Sequence, residues 1–247
     1  MVDTLNRRDI LIQTGVLASF LGLVSPVRAL TGSAGDALTS LLPRIDTLTS
    51  GLRGQELSAQ DWRDALDAVF DQIDLPDLLR DLDFEALSAA TGYADQGVAT
   101  APLRLNAPDG QTLSFFPKMF AVGNGRAIIP HGHDNMVSAH LTLDGRFHVR
   151  QYDKIAVEGD ALLIRPSIDR IAEPGDLCSI GTQADNVHWF VAEENSHTLD
   201  IVVMGLGPDS GGSFDIYNID PDNAVSVDGD ILRAPRLGLS RALAQYG

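Results

Sequence analysis

Two histidines one residue apart, His131 and His133, close the stretch Gly125-Arg126-Ala127-Ile128-Ile129-Pro130-His131-Gly132-His133. On an extended segment side chains repeat every two residues, so both imidazoles point to the same side. From there they can take adjacent positions on one metal ion. A third histidine, His188, lies in the apolar run Val187-His188-Trp189-Phe190-Val191. Two ligands from one strand and one from a distant strand make a facial site with open positions, as a metal needs when it must also bind substrate or oxygen. His140 follows Ser138 by two residues on the same side of the chain. It can serve as an acid or base beside the metal, as a fourth ligand, or as a buried structural residue. His148 and His197 read as surface or loop residues, and Cys178 as a buried apolar side chain. Arg126 and Arg150 either hold a substrate carboxylate or are exposed strand residues, and Trp189 reads as packing.

Short strands are the elements that must position these side chains. From about Ala101 turn signals come at close spacing, among them Pro108-Asp109-Gly110, Gly123-Asn124-Gly125, Asp144-Gly145 and Pro174-Gly175-Asp176. They delimit extended segments at Thr112–Val122, Met136–Leu143, Arg146–Ile155, Ala161–Pro166, Leu177–Ile180, Val187–Ala192 and Thr198–Met204. Such a series predicts a mainly β sandwich or barrel that buries alternate residues. A helical extension precedes it. One helix is expected over about 36–48, kinked or split by Pro43. Ser58 and Asp61 form a capping box, after which Trp62, Leu66, Val69, Phe70 and Ile73 recur at helical spacing. Pro76 opens a further helix that continues through Leu87 toward Gly92. The acidic residues of these helices read as a solvated face. The chain thus divides into 1–29, a helical extension at 30–97, a β-barrel at 98–208 and a tail at 209–247 that packs on the barrel.

The 247 residues carry a net charge of −16, which argues against nucleic acid and anionic membrane surfaces as partners. A single cysteine excludes an intramolecular disulfide and a cysteine-based zinc site. At the N-terminus Arg7 and Arg8 precede an apolar run from Ile10 to Val24, followed by Pro26 and Val27-Arg28-Ala29. The run is short for a membrane span, which needs roughly 20 residues. The pattern resembles a twin-arginine signal peptide ending at residue 29. It predicts a periplasmic or otherwise exported protein, with no membrane attachment once the signal is removed.

The spacing Gly125-x5-His131-x-His133-x4-Ser138-x6-Gly145 resembles the first motif of the cupin superfamily, Gly-x5-His-x-His-x(3,4)-Glu-x6-Gly, with Ser138 in the place of the glutamate. The second cupin motif is half present, through Gly175 and His188. Three histidines without the glutamate is the pattern of the thiol dioxygenases. Ile129-Pro130-His131-Gly132-His133-Asp134-Asn135-Met136, Asn186-Val187-His188 and Leu199-Asp200-Ile201 are similar to the cysteamine dioxygenase and plant cysteine oxidase branch. The resemblance covers roughly residues 115–208. It implies a cupin (double-stranded β-helix, jelly-roll) barrel. It also implies one Fe(II) held by His131, His133 and His188, and an O2-dependent oxidation of a small thiol or an N-terminal cysteine to a sulfinate. Asp200 matches an acidic residue near that family's iron, and His140 joins it as a candidate catalytic residue. The branch's Pro-Pro-Tyr stretch is replaced by Gly205-Leu206-Gly207-Pro208-Asp209, leaving Tyr217 as a substitute aromatic. Other metal-dependent cupin reactions, such as oxygenolytic cleavage of a carbon–carbon bond, and a non-catalytic metal- or ligand-binding role fit the same motif. Pairing of two barrels as a homodimer is a further expectation from the resemblance.

Overall fold

Leu38, Leu41, Leu42, Ile45 and Leu52 recur at helical spacing and form one buried stripe on helix α1, Asp36–Arg53. The structure, a computed structural model, describes residues 35–105, 110–206 and 214–247. The signal peptide expected at residues 1–29, the turn at Pro108-Asp109 and the Gly207-Pro208-Asp209 stretch lie outside the described residues. Helix α1 runs through Pro43 and five residues past its expected end, because the buried stripe continues to Leu52. Helix α2, Ala59–Phe70, starts at the Ser58–Asp61 capping box, and buries Trp62, Leu66, Val69 and Phe70. The single helix expected after Pro76 is two helices, α3 (Leu75–Asp81) and α4 (Phe84–Thr91). Asp83 between them takes a left-handed conformation (φ 49°) that no α-helix continues through. Asp81 is not merely solvated: its carboxylate accepts from the Ala37 and Leu38 N–H groups at 2.9 and 3.2 Å, capping α1.

The strands are β1 Ala99–Pro102, β2 Phe116–Val122, β3 Ala127–Asp134, β4 Met136–Asp144, β5 Phe147–Glu158, β6 Ala161–Ala172, β7 Leu177–Ile180, β8 Val187–Ala192 and β9 Ser196–Met204. After them come β10 Asp215–Ile219, β11 Val225–Asp228, β12 Ile231–Leu237 and helix α5, Leu239–Tyr246. They build two antiparallel sheets, β1-β2-β9-β4-β7 and β10-β3-β8-β5-β6-β12-β11. The inner parts of these orders, β2-β9-β4-β7 facing β3-β8-β5-β6, are the two interleaved four-stranded sheets of a jelly roll.

Alternation along the strands gives each sheet two faces. Outward residues of the first sheet, among them Met119, Ala139, Leu141, Leu199 and Ile201, share one core with the leucines of α1–α4. The barrel interior is a second core around Phe120, Ile128, Phe147, Val149 and Phe190. The tail is more structured than its polar sequence suggests. Strand β10 adds to β3, β12 adds to β6, and α5 packs over Ala127, Ile129 and Trp189.

Candidate metal centre

Strand β3 delivers His131 and His133 to the barrel interior by breaking its own alternation. Ala127 and Ile128 pair with Val191 and Phe190 of β8, but the next pair is His131 with His188. Three steps on β3 therefore match two on β8, a bulge that spans Ile129 and Pro130. Ile128 faces the interior before the bulge and His131 and His133 face it after. Proline fits there because it has no ladder donor to lose. Gly132 points the other way against β8 and β10. A Cβ there would meet Asn186 Oδ1 and Val187 Cγ2 at 2.9 Å each, so only glycine allows this close approach. At the far end of the same stretch Gly145 turns β4 into β5 with φ +78°, a left-handed conformation that favours glycine.

His131, His133 and His188 come together as the sequence predicts. Each offers a ring nitrogen, and the three lie within 4.8 Å of one another. All three side chains are buried. His131 Nδ1 lies 2.7 Å from the Ile129 carbonyl and His188 Nδ1 3.2 Å from that of Asn186. Donation from these nitrogens fixes each tautomer and leaves Nε2 as the coordinating atom. His188 Nε2 and both ring nitrogens of His133 are buried without a hydrogen-bond partner. Polar atoms in that state are costly unless something else satisfies them, which is what a bound cation does. Burial also depresses their basicity, bringing His131 down to about 4 and His133 and His188 well below the usual imidazole value. All three are neutral at physiological pH, the form that binds a metal. The residues fit a divalent ion.

Asn186, which the sequence reading used only as part of a motif, locks this arrangement. Its Oδ1 accepts from His133 N at 3.0 Å, and its Nδ2 lies 2.9–3.1 Å from the carbonyls of His133, Gly181 and Thr182. Helix α2 steadies the same loop: Arg63 pairs with Asp185 and donates to Ser179 Oγ at 3.1 Å.

The facing sheet supplies a row of barrel-lining groups in register. Lys118 of β2 pairs with Asp200 of β9, Asp200 with His140 of β4, and His140 with Cys178 of β7. His140 Nδ1 lies 2.9 Å from Asp200 Oδ1, off the line of a good N–H···O bond, and its Nε2 lies 3.4 Å from Ser138 Oγ. Thr198 donates to the same Asp200 oxygen at 2.7 Å. The His140 ring is 5.4 Å from that of His188, so it stands beside the three-histidine cluster and outside the set whose nitrogens converge. Asp200 is wholly buried behind His140. Lys118 is the residue that sequence reasoning missed. Its only signal was a cation on the Phe120 side of an apolar strand. Burial pulls its ammonium down to about 8, against the opposing pull of Asp200.

A cavity of about 230 Å³ opens onto the cluster. Phe120, Ile128, Met136 and Val202 wall it, Lys118, Ser138 and His140 add polar groups, and Leu239 and Leu243 of α5 close one side.

The sequence matches no family model and no curated protein. Among solved structures, a cupin superfamily protein from Desulfitobacterium hafniense is 13% identical, with 47% of this chain and 84% of that one covered and a TM-score of 0.33. KdgF from a Halomonas species is 17% identical over 47% and 90%, with a TM-score of 0.32. An RmlC-like cupin from Shewanella frigidimarina is 13% identical over 46% and 80%, also at 0.32. The fold is a double-stranded β-helix (jelly-roll) barrel with an N-terminal helical extension. Strand order, rather than these low scores, assigns it.

Several other candidates lie away from the barrel cavity. Arg126 donates to the Gly247 carbonyl at 3.1 Å, and Arg150 stacks 4.5 Å from the Trp189 ring on the outer face. Neither lines the cavity. Tyr217 pairs with Gly132, so it faces out of the barrel toward Lys154 and is no substitute for the missing aromatic. Trp189 packs edge-on against Tyr246. His148 stays near the surface beside Asp169. His197, expected at the surface, is buried where α4 meets the sheet, with Nε2 2.9 Å from Ser88 Oγ.

Proposed function

We propose that this cupin is a mononuclear, iron(II)-dependent oxygenase acting on a small thiol, with His131, His133 and His188 as the metal ligands. The observation that carries the reading is a buried cluster of three neutral histidines with Ser138, not a carboxylate, at the remaining cupin ligand position. Three neutral ligands leave the full charge of a divalent ion to stabilise an anionic sulfur, and leave coordination positions for it and for O2. Both atoms of O2 are added to the thiolate, RS⁻ + O2 → RSO2⁻. The sulfur is oxidised by four electrons and O2 is reduced, so no further reductant is consumed. Iron, when bound, would supply thiolate activation and a site for O2.

The chain's own residues do the rest. The apolar walls exclude water from the reacting atoms. Asp200 stands behind His140 with Oδ1 2.9 Å from its Nδ1, and His140 Nε2, beside Ser138 Oγ, is the group placed to take the thiol proton as the substrate enters. Export by the twin-arginine route belongs to the same proposal. Arg7 and Arg8 before the apolar run support it, and that route would allow metal loading before the folded protein crosses the membrane.

The test is anaerobic loading with Fe(II), admission of air and a panel of small thiols, following oxygen uptake and a product two oxygen atoms heavier by mass. Iron-loaded protein with no thiol-dependent uptake would sink the reading.

A further inference from the structure

We infer that helix α5 sets the size of ligand the cavity takes, with Leu243 as the specificity-determining residue and a thiol with a short hydrocarbon body as the substrate it fits. For its sulfur end this rests on the thiol reading above; the wall formed by α5 does not.

Leu239 and Leu243, and beside them Ala242 and Tyr246, give α5 two neighbouring apolar ridges at i, i+4 spacing. Ala242 and Tyr246 are buried against Ala127, Ile129 and Trp189. Leu239 and Leu243, on the adjoining ridge, stay only partly buried and line the cavity. The helix thus packs on the barrel with one ridge and bounds the cavity with the other. Polar contacts fix its position. The buried Asp220 carboxylate accepts from Tyr246 Oη at 2.7 Å and from Gln245 Nε2 at 3.1 Å, and Arg126 donates to the Gly247 carbonyl at 3.1 Å. On the cavity side Leu243 packs directly on the backbone of Gly97, another lining residue: a Cβ there would come 3.0 Å from Leu243 Cδ2. Hydrocarbon laid against these leucines gains by leaving water. That gain ends where the ligand reaches the wall, because a helix held on both ridges gives way only by forcing side chains off their rotamers. Affinity therefore rises with each methylene up to a limit that Leu243 sets, and then falls.

Titration calorimetry on the Fe(II)-loaded full chain, kept anaerobic, tests the wall with two ligand series of rising alkyl length. One is the 1-alkanethiols; the other is the 1-alkylimidazoles, which bind metal through nitrogen and carry no sulfur. In wild type, affinity is expected to climb and then fall with length in both series. Leu243→Ala is expected to move the maximum about two carbons longer, and to bind the first ligand beyond the wild-type limit about tenfold more tightly than wild type does. Leu243→Met keeps the reach of the side chain and is expected to keep the wild-type maximum, which separates a lost wall from a lost fold. The same maximum in wild type and Leu243→Ala, or binding of neither series, overturns the wall. A maximum that shifts for the imidazoles while the thiols fail to bind upholds α5 and sinks the thiol reading. Tight thiol binding with an unmoved maximum does the reverse.

Discussion

Asn186 is where a single side chain does most to hold the three-histidine cluster, because four polar contacts converge on one buried amide. Asn186→Ala would strand the carbonyl of Gly181 and release the His133 N–H, leaving the His133 carbonyl to Lys154. The expected cost is about 2–4 kcal/mol of stability, read from a urea midpoint. Metal affinity should fall about 10–100-fold, since outer partners of ligands typically carry that much. Full metal affinity in the variant would show that His133 needs no such support. Cys178 makes the opposite case. It shares a sheet row with His140, yet burial pushes its thiol up to about 12, so it stays protonated across the physiological range. A disulfide reagent should leave it untouched in the native protein and label one thiol per chain in denaturant. Rapid native labelling would mean that the barrel opens there.

At the scale of elements, β3 sets the site, and Gly132 is its tightest point. Gly132→Ala places a methyl group against Asn186, Val187 and Tyr217, and overpacking of this kind costs about 1–3 kcal/mol. His131 and His133 flank it. The variant should therefore lose bound metal by elemental analysis while its far-UV circular dichroism keeps the β signature. Retained stoichiometric metal would mean that β3 can shift without moving its histidines. The same strand shows what was legible beforehand. Period-two spacing put His131 and His133 on one side, and that required only local chain geometry. The bulge at Ile129 and Pro130, which decides that this side is the interior, depends on pairing with β8, and Pro130 alone hinted at it. The turn at Asp144-Gly145 was readable because its residues are local, but not that it hands the chain from one sheet to the other instead of pairing β4 with β5 as a hairpin. Strands β10–β12 were not, because they lie in a polar stretch and gain their ladders only by adding to β3 and β6. Lys118 was hidden for a related reason: its place beside Asp200 comes from the register of β2 with β9, and register across the sheet has no local signature.

The whole molecule is a barrel whose outer face is sealed by a helical layer, and charged or polar residues at that seam link the layer to the site. Arg63 reaches from α2 to the loop before β8, so the docking of the helices helps fix His188. His197 marks the other end of the seam. Its ring packs edge-on against Phe84 at 5.1 Å, its Nε2 lies 2.9 Å from Ser88 Oγ, and Nδ1 is 3.7 Å from Asp144. Burial lowers its pKa, with Asp144 opposing the shift only in part. As pH falls through the ordinary imidazole value, the unfolded chain takes up a proton before the folded one does, so folding stability falls. His197→Gln can still bond Ser88 and does not titrate. The wild-type advantage over this variant, measured as a difference in urea midpoint so that the other histidines cancel, should therefore shrink between about pH 7.5 and 5.5, by up to about 1 kcal/mol. A gap that widened on acidification would mean that protonated His197 binds Asp144 more strongly than burial opposes it, and the seam would then be held by charge rather than by packing.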